Sequence, residues 1–127
     1  MPGWVVLTRN ISHSETAFNS TLAHQQNPLQ TGTLDVKFEW DLSKAEKNEK
    51  KHGVSFSEVT TVFGDPLELT ISDPDHSEGE YRFLSIGRSS VGRVLVVSYT
   101  EREENGIRII SARCATKPEQ KQYESQY

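Results

Sequence analysis

VKFEWDLSKAEKNEKKHGVSF, residues 36–56, holds a strand, a helix and the signal that separates them. Val36, Phe38 and Trp40 alternate with polar residues at the period of a strand, which places all three on one face. Asp41 and Ser43 then offer oxygen-bearing side chains for an N-cap, and Ser43 with Glu46 has capping-box spacing. A polar helix of roughly two to three turns is expected from there to Lys51. His52-Gly53 ends it, because glycine reaches the left-handed conformation that closes a helix at little steric cost.

Downstream, Ser55 and Glu58 repeat the capping-box spacing ahead of Val59, Val62 and Phe63, predicting a second short helix that stops near Gly64-Asp65-Pro66. Leu67–Ile71 reads as a strand and SDPDHSEGE as a polar turn. Three clearer strands follow at Tyr81–Gly87, Arg93–Tyr99 and Ile107–Cys114. Their short glycine-bearing connections, SSVG and EREENG, favour an antiparallel meander. VLVVSY in the middle strand is apolar on both faces, the pattern of a strand covered on both sides. Thr116 with Glu119 is a third capping-box match, and Pro118 is tolerated in a first helical turn, so a last helix carrying Tyr123 is expected. The order β-α-α-β-β-β-β-α, with helices at both chain ends, defines an α+β domain spanning 36–127.

Upstream, residues 1–35 are rich in Ser, Thr, Asn and Gln and show neither strand alternation nor a helical stripe, so they read as a disordered N-terminal extension. The 127 residues suit one modest core. No window approaches the roughly 18 apolar residues of a membrane span. MPGWVVLTRN has no preceding basic region and no small-residue cleavage site after it, so secretion is not expected. Cys114 is the only cysteine, which rules out an intrachain disulfide and fits a reducing cytoplasm.

The formal net charge of −4 argues at first against a nucleic-acid partner. The charge is unevenly placed. Residues 53–80 carry seven acidic and no basic side chains, whereas 81–127 carry eight basic and five acidic ones.

FEWDLSKAEKNEKKHGVSFSEVTTVFGDP, DHSEGEYRFLSIGRSSVGRVLVVSYTERE and IRIISARCATKPEQKQYE together resemble the BrnT family, spacing included. KHGVSF, an R-F-x-x-I-G-R-S strand, R-I-I-S-A-R and a terminal K-x-E-x-x-x-Y carry the resemblance, which covers nearly all of 36–127 and none of 1–35. It implies a compact fold similar to the RelE toxins and a ribonuclease that inhibits translation. It also implies neutralisation by a BrnA-like antitoxin with a ribbon-helix-helix DNA-binding domain, operator DNA being reached only through that complex.

Metal-independent RNA cleavage needs a base for the 2′-hydroxyl, cations for the crowded phosphate and an acid for the 5′-oxygen. Arginine suits the second role through its planar fork. On a regular strand, residues an even number apart share a face. Arg82 and Arg88 therefore form a candidate RNA-binding pair, while Arg108 and Arg113 oppose each other unless a bulge intervenes. Arg113, on the face of Ile107 and Ile109 and directly before the last helix, is the preferred catalytic arginine.

The resemblance adds Arg93 at the start of the central strand and Tyr123 as a base-stacking or proton-transfer residue. For each arginine a surface ion pair is the competing account, and for Tyr123 simple packing. His52 is a candidate acid or base because imidazole titrates at about pH 6.5. A plainer role as a cation at a helix C-terminus competes with that. Lys117 is placed to reach phosphate, whereas Glu119 is accounted for by its cap. Asp73, Asp75, His76, Glu78 and Glu80 fit neither an EF-hand nor a zinc spacing and read as a solvated turn, so neither a metal nor any other cofactor is expected.

The principal alternative is a non-catalytic module acting in an antitoxin complex as operator-binding co-repressor. The negative net charge favours it, as does Cys114, which stands where the resemblance expects a basic residue. A metal-dependent hydrolase is the third reading.

Overall fold

The computed structural model describes residues 3–13, 32–72 and 81–126. Its elements are β1 (Trp4–His13), β2 (Gly32–Asp41), α1 (Leu42–His52), α2 (Phe56–Thr60) running into a 3-10 turn (Thr61–Gly64), β3 (Leu69–Ser72), β4 (Arg82–Arg88), β5 (Val94–Arg102), β6 (Gly106–Cys114) and α3 (Lys117–Glu124). The acidic turn read at 73–80 lies outside the described residues, as does most of the stretch ahead of β2.

The helices start and stop where their caps direct. The Asp41 side chain accepts from Ser43 N–H at 3.3 Å, so Asp41 caps α1 in place of the Ser43–Glu46 box. Gly53, at φ 70°, closes α1 by donating its N–H to the Glu49 carbonyl. Ser55 accepts from Glu58 N–H at the start of α2. The Thr116–Glu119 capping box at α3 is complete in both directions.

The sheet has six strands in the order β1-β2-β6-β5-β4-β3. Strands β3 to β6 are antiparallel neighbours, as the short turns require. One pairing departs from the antiparallel expectation: β2 runs parallel to β6, from Lys37↔Gly106 to Glu39↔Arg108. These two strands are far apart in sequence, and two helices and three strands intervene, so no hairpin constrains their direction.

The extension read at 1–35 needs correction where it is described. Trp4–His13 is a strand paired along its length with β2, which itself begins at Gly32 and not at Val36. Val5, Leu7 and the buried Ile11 face the core, with Trp4 and Val6 on the other side. The alternation escapes a sequence reading because both faces are apolar at Trp4–Leu7 and polar residues then interrupt it at Thr8–Asn10.

One sheet face is packed by α2 and the turns around it. Phe38, Trp40, Leu95, Val97, Tyr99, Ile107 and Ile109 meet Val54, Phe56, Val59, Val62 and Phe63 there. Ring pairs lock the layer, with centroids 5.3 Å apart for Phe38–Phe63 and 5.0 Å for Phe63–Tyr99. A Cβ on Gly87 would stand 2.7 Å from Val62 Cγ1, so glycine permits the close approach of β4 to the 3-10 turn. The opposite face carries a smaller cluster of Ile86, Val94 and Val96 under Tyr123 of α3. β5 is thus covered on both sides, as its apolar sequence implied.

After Glu39 and Arg108 the two parallel strands diverge, leaving the rest of β6 without a strand on that side. Asn48, the only buried residue of α1, fills the gap. Its Oδ1 accepts from Ala112 N–H at 3.0 Å and its Nδ2 donates to the Val54 carbonyl at 3.1 Å. Asn48→Ala would orphan two buried backbone groups. The expected loss is about 2–3 kcal/mol of unfolding free energy, read from urea titration at constant m-value.

Glu68, 4 % exposed, is the one buried carboxyl among the described residues. Thr70 donates to its Oε1 at 3.2 Å, and its Oε2 has no partner among the described residues. Burial pushes this carboxyl up to about 8, against hydrogen bonds from Ser85 and Thr70 that favour the charged form. Its folded pKa exceeds the unfolded 4.5, so its stabilising protonation is complete below pH 4.5 and is lost as pH rises towards about 8. Glu68→Gln is expected to match the parent at pH 5 and exceed it by roughly 2 kcal/mol at pH 8.5 in thermal or urea unfolding.

Candidate active site

The register of β5 on β6 slips between Ser98 and Tyr99, which pair with Ser111 and Ile109 and leave Ile110 as a bulge. Parity reverses beyond it. Arg113 pairs with Val96, on the face opposite Ile107 and Ile109, and so shares a face with Arg108. The expected opposition of Arg108 and Arg113 is thereby corrected. Arg82 and Arg88 do share a face, in register with Thr100 and Val94. They stand six residues apart, about 20 Å along the strand, too far to grip one phosphate together.

Arg93 faces the other way, towards the helices. Its Nε reaches Glu58 Oε2 at 3.0 Å, and its Nη2 reaches Glu58 Oε1 at 2.5 Å and the Gly53 carbonyl at 3.1 Å. Its Nη1 lies 3.8 Å from Cys114 Sγ. Ser89 Oγ donates to the same carboxylate at 2.7 Å. Arg93 and, less strongly, Ser89 hold the Glu58 carboxyl below its usual range, although burial opposes them. A capping-box reading of Glu58 hid this, since its backbone N–H takes the cap while its side chain takes Arg93. His52 precedes Gly53, whose carbonyl accepts from Arg93, so Arg93 meets the chain one residue beyond His52 at the end of α1.

Arg113 makes a bidentate pair with Glu119, at 2.7 and 2.9 Å. That carboxylate also accepts from Thr116 N–H at 2.8 Å, and the Arg113 bonds, followed by those to Thr116, hold it at about 2. Arg93, just ahead of β5, and Arg113, on the neighbouring β6, therefore serve opposite faces. Lys117 is exposed at the start of α3.

Tyr123 is 1 % exposed, and its hydroxyl donates to Asp65 Oδ2 at 2.5 Å. The same oxygen accepts Arg88 N–H at 2.8 Å, while the Arg88 guanidinium lies 5.6 Å from the Tyr123 ring centroid. Ring, carboxylate and guanidinium form one packed unit that ties α3 to β4. In this geometry the ring has no face open to a base.

A cleft of about 230 Å³ runs between α1 and the unpaired edge of β6, lined by Lys44, Lys47, Asn48, Lys51, His52, Ile110 and Ser111. His52 is the one sequence-stated candidate on its wall. The three lysines were not singled out from sequence, where they read as the polar side of a helix. Among the described residues no three His, Cys, Asp or Glu side chains converge on a metal-sized site, and no helix is long and apolar enough to cross a membrane.

Residues 40–119, which take in α1 with its lysine-lined cleft and the Arg93 contacts, are matched by the family model described as the ribonuclease toxin BrnT of type II toxin-antitoxin systems. The class is that of ribonuclease toxins of such systems. The match takes in more than half of the chain, and the chain belongs to the BrnT family. A structural relative is the 1.1 Å crystal structure of the Brucella abortus ribonuclease toxin BrnT, at 21% identity and a TM-score of 0.46, covering 61% of this chain and 94% of that one. No curated protein matches.

Tyr123→Phe separates packing from chemistry at that position. Losing the bond to Asp65 is expected to cost about 1–2 kcal/mol in urea unfolding and to leave RNA cleavage within about two-fold of the parent. A far larger fall in cleavage with unaltered stability would return Tyr123 to the reacting site.

Proposed function

We propose that this chain is a metal-independent endoribonuclease acting in the cytoplasm, whose cleavage of RNA stops translation and which a ribbon-helix-helix antitoxin of the BrnA kind neutralises. Family membership supports the activity, and the observation that carries the site is His52 on the wall of a lysine-lined cleft, one residue before the Gly53 carbonyl that accepts from Arg93 Nη2 at 3.1 Å. In this reading the 2′-oxygen attacks phosphorus and loses its proton to a base, and the 5′-oxygen leaves with a proton from an acid. The products are a 2′,3′-cyclic phosphate and a 5′-hydroxyl. His52 serves one of the proton transfers, and Arg93 with the neighbouring lysines stabilises the charge of the crowded phosphate. Arg113 and Lys117, with Arg82 and Arg88, belong to the other face and contact flanking RNA at most.

The non-catalytic reading, an operator-binding co-repressor with its antitoxin, is favoured by one observation. Arg93, Arg108 and Arg113 are each already bound to a carboxylate. One experiment separates the two: the full chain is incubated with RNA in EDTA. Fragments ending in 2′,3′-cyclic phosphate are expected, and His52→Ala or Arg93→Ala should lower the rate by about 10²-fold or more with unchanged circular dichroism. Intact RNA beside folded protein would sink the ribonuclease reading.

A further inference from the structure

We propose that the cleft between α1 and the open edge of β6 is a binding site for the phosphodiester backbone of single-stranded RNA, held by Lys44, Lys47 and Lys51. The proposal deepens the ribonuclease reading and rests on it for the identity of the polymer.

The geometry begins with the spacing of the lysines. Residues three and four apart lie on one side of a helix, so Lys44, Lys47 and Lys51 form a row of about 10 Å along α1. All three are exposed, and none makes an ion pair with a described residue. Among the described residues no carboxylate lines the cleft. The arginines 93, 108 and 113 present the opposite case, each having its charge met by a glutamate.

The opposite wall exists because of the bulge. Where β2 leaves β6, Ile110 and Ser111 border the cleft, and the Asn48 bonds to Ala112 and Val54 hold the wall and α1 at a fixed separation. Ser111 offers an exposed hydroxyl to a phosphate oxygen, and half-buried Ile110 offers an apolar surface to a ribose. At about 230 Å³ the cleft is smaller than the ~300–1,000 Å³ of pockets that enclose small ligands. It takes a backbone and not a base, so recognition is independent of sequence. The negative end of the α1 dipole lies at the Lys51–His52 end and disfavours an anion there. Attraction therefore comes from the lysines, and it delivers the backbone to His52.

The test uses the full chain and fluorescent 2′-O-methyl oligouridine and oligoadenosine, which bind as RNA does but cannot be cleaved by their own 2′-oxygen. Affinity is measured across a salt series. In the Lys44→Gln/Lys47→Gln/Lys51→Gln variant, the slope of log K against log salt is expected to shrink by about 2, from roughly 0.7 per phosphate contact. Binding at low salt should fall ten-fold or more, equally for both oligonucleotides. Each single variant should shrink the slope by about 0.7, and these keep the test open if the triple variant misfolds. Glutamine nearly equals lysine as a helix former.

An unchanged slope in the variants, or an equal loss in Lys121→Gln on α3, overturns the proposal. So does unchanged RNA binding together with lost hold on an acidic protein partner, because the cleft would then be a protein docking site. Failure of the wild type to cleave ordinary RNA while lysine-dependent binding persists removes the ribonuclease reading and leaves the cleft. Cleavage by the triple variant at wild-type kcat/KM does the reverse.

Discussion

Between β5 and β6 the register slips by one residue, Ile110, and Asn48 hydrogen-bonds to Ala112 two residues further on. Two consequences follow. The slip reverses the faces of everything after it, which turns Arg113 towards α3 and makes the Glu119 pair available. The divergence of β2 from β6 leaves backbone groups exposed just there, and the Asn48 amide satisfies one N–H from a helix in place of a strand. An orphaned buried backbone group costs about 1–3 kcal/mol, enough to fix the position of a mostly polar helix that buries only one of its residues. The cleft is the space that remains between that helix and the bulged edge.

Positive charge is divided in two by the same arrangement. Arg93 and Arg113 are partly exposed, and pairs of that kind contribute at most about 1 kcal/mol each. Their larger effect is orientation. Arg93 bridges α2, the end of α1 and β5 through Glu58 and the Gly53 carbonyl, and Arg113 secures the first turn of α3. Arg108 is held between Glu39 and the Trp4 ring, 4.6 Å from its centroid, and so anchors β1 and β2 to β6. Lysines 44, 47 and 51 do no such work and remain available to a ligand.

Features carried by local signals were legible in the sequence. Asp41, Ser55, Thr116 and Gly53 set helix ends through contacts within four residues, and the two-sided apolar run of β5 showed its central place. Features that depend on distant partners were not. The bulge at Ile110 has no composition of its own, and it decided which face Arg113 takes. β1 is a strand because β2 offers it a ladder, since its own alternation fails at Thr8–Asn10. Glu58 was read only as a cap, whereas the fold has it cap with its backbone and bind Arg93 with its side chain; of the two readings of Tyr123, the packed one describes its surroundings, sealed by a carboxylate 58 residues away.

Net charge is a poor guide to this protein because several acidic groups are not acting as free anions. Of the seven acidic residues in 53–80, three are described. Glu58 is bonded to Arg93 and Ser89, and Asp65 accepts from Tyr123 and two backbone N–H groups. Glu68 is pushed up to about 8 by burial and carries a proton at neutral pH. At physiological salt, fields between exposed charges fade over roughly 8 Å, so a polyanion approaching α1 responds to the lysines within that range and little to the formal total. Neighbouring lysines in the row, one helical turn or about 5 Å apart, lie within one screening length of each other, which lets a chain with an acidic average present a cationic surface to RNA in the cleft that His52 lines.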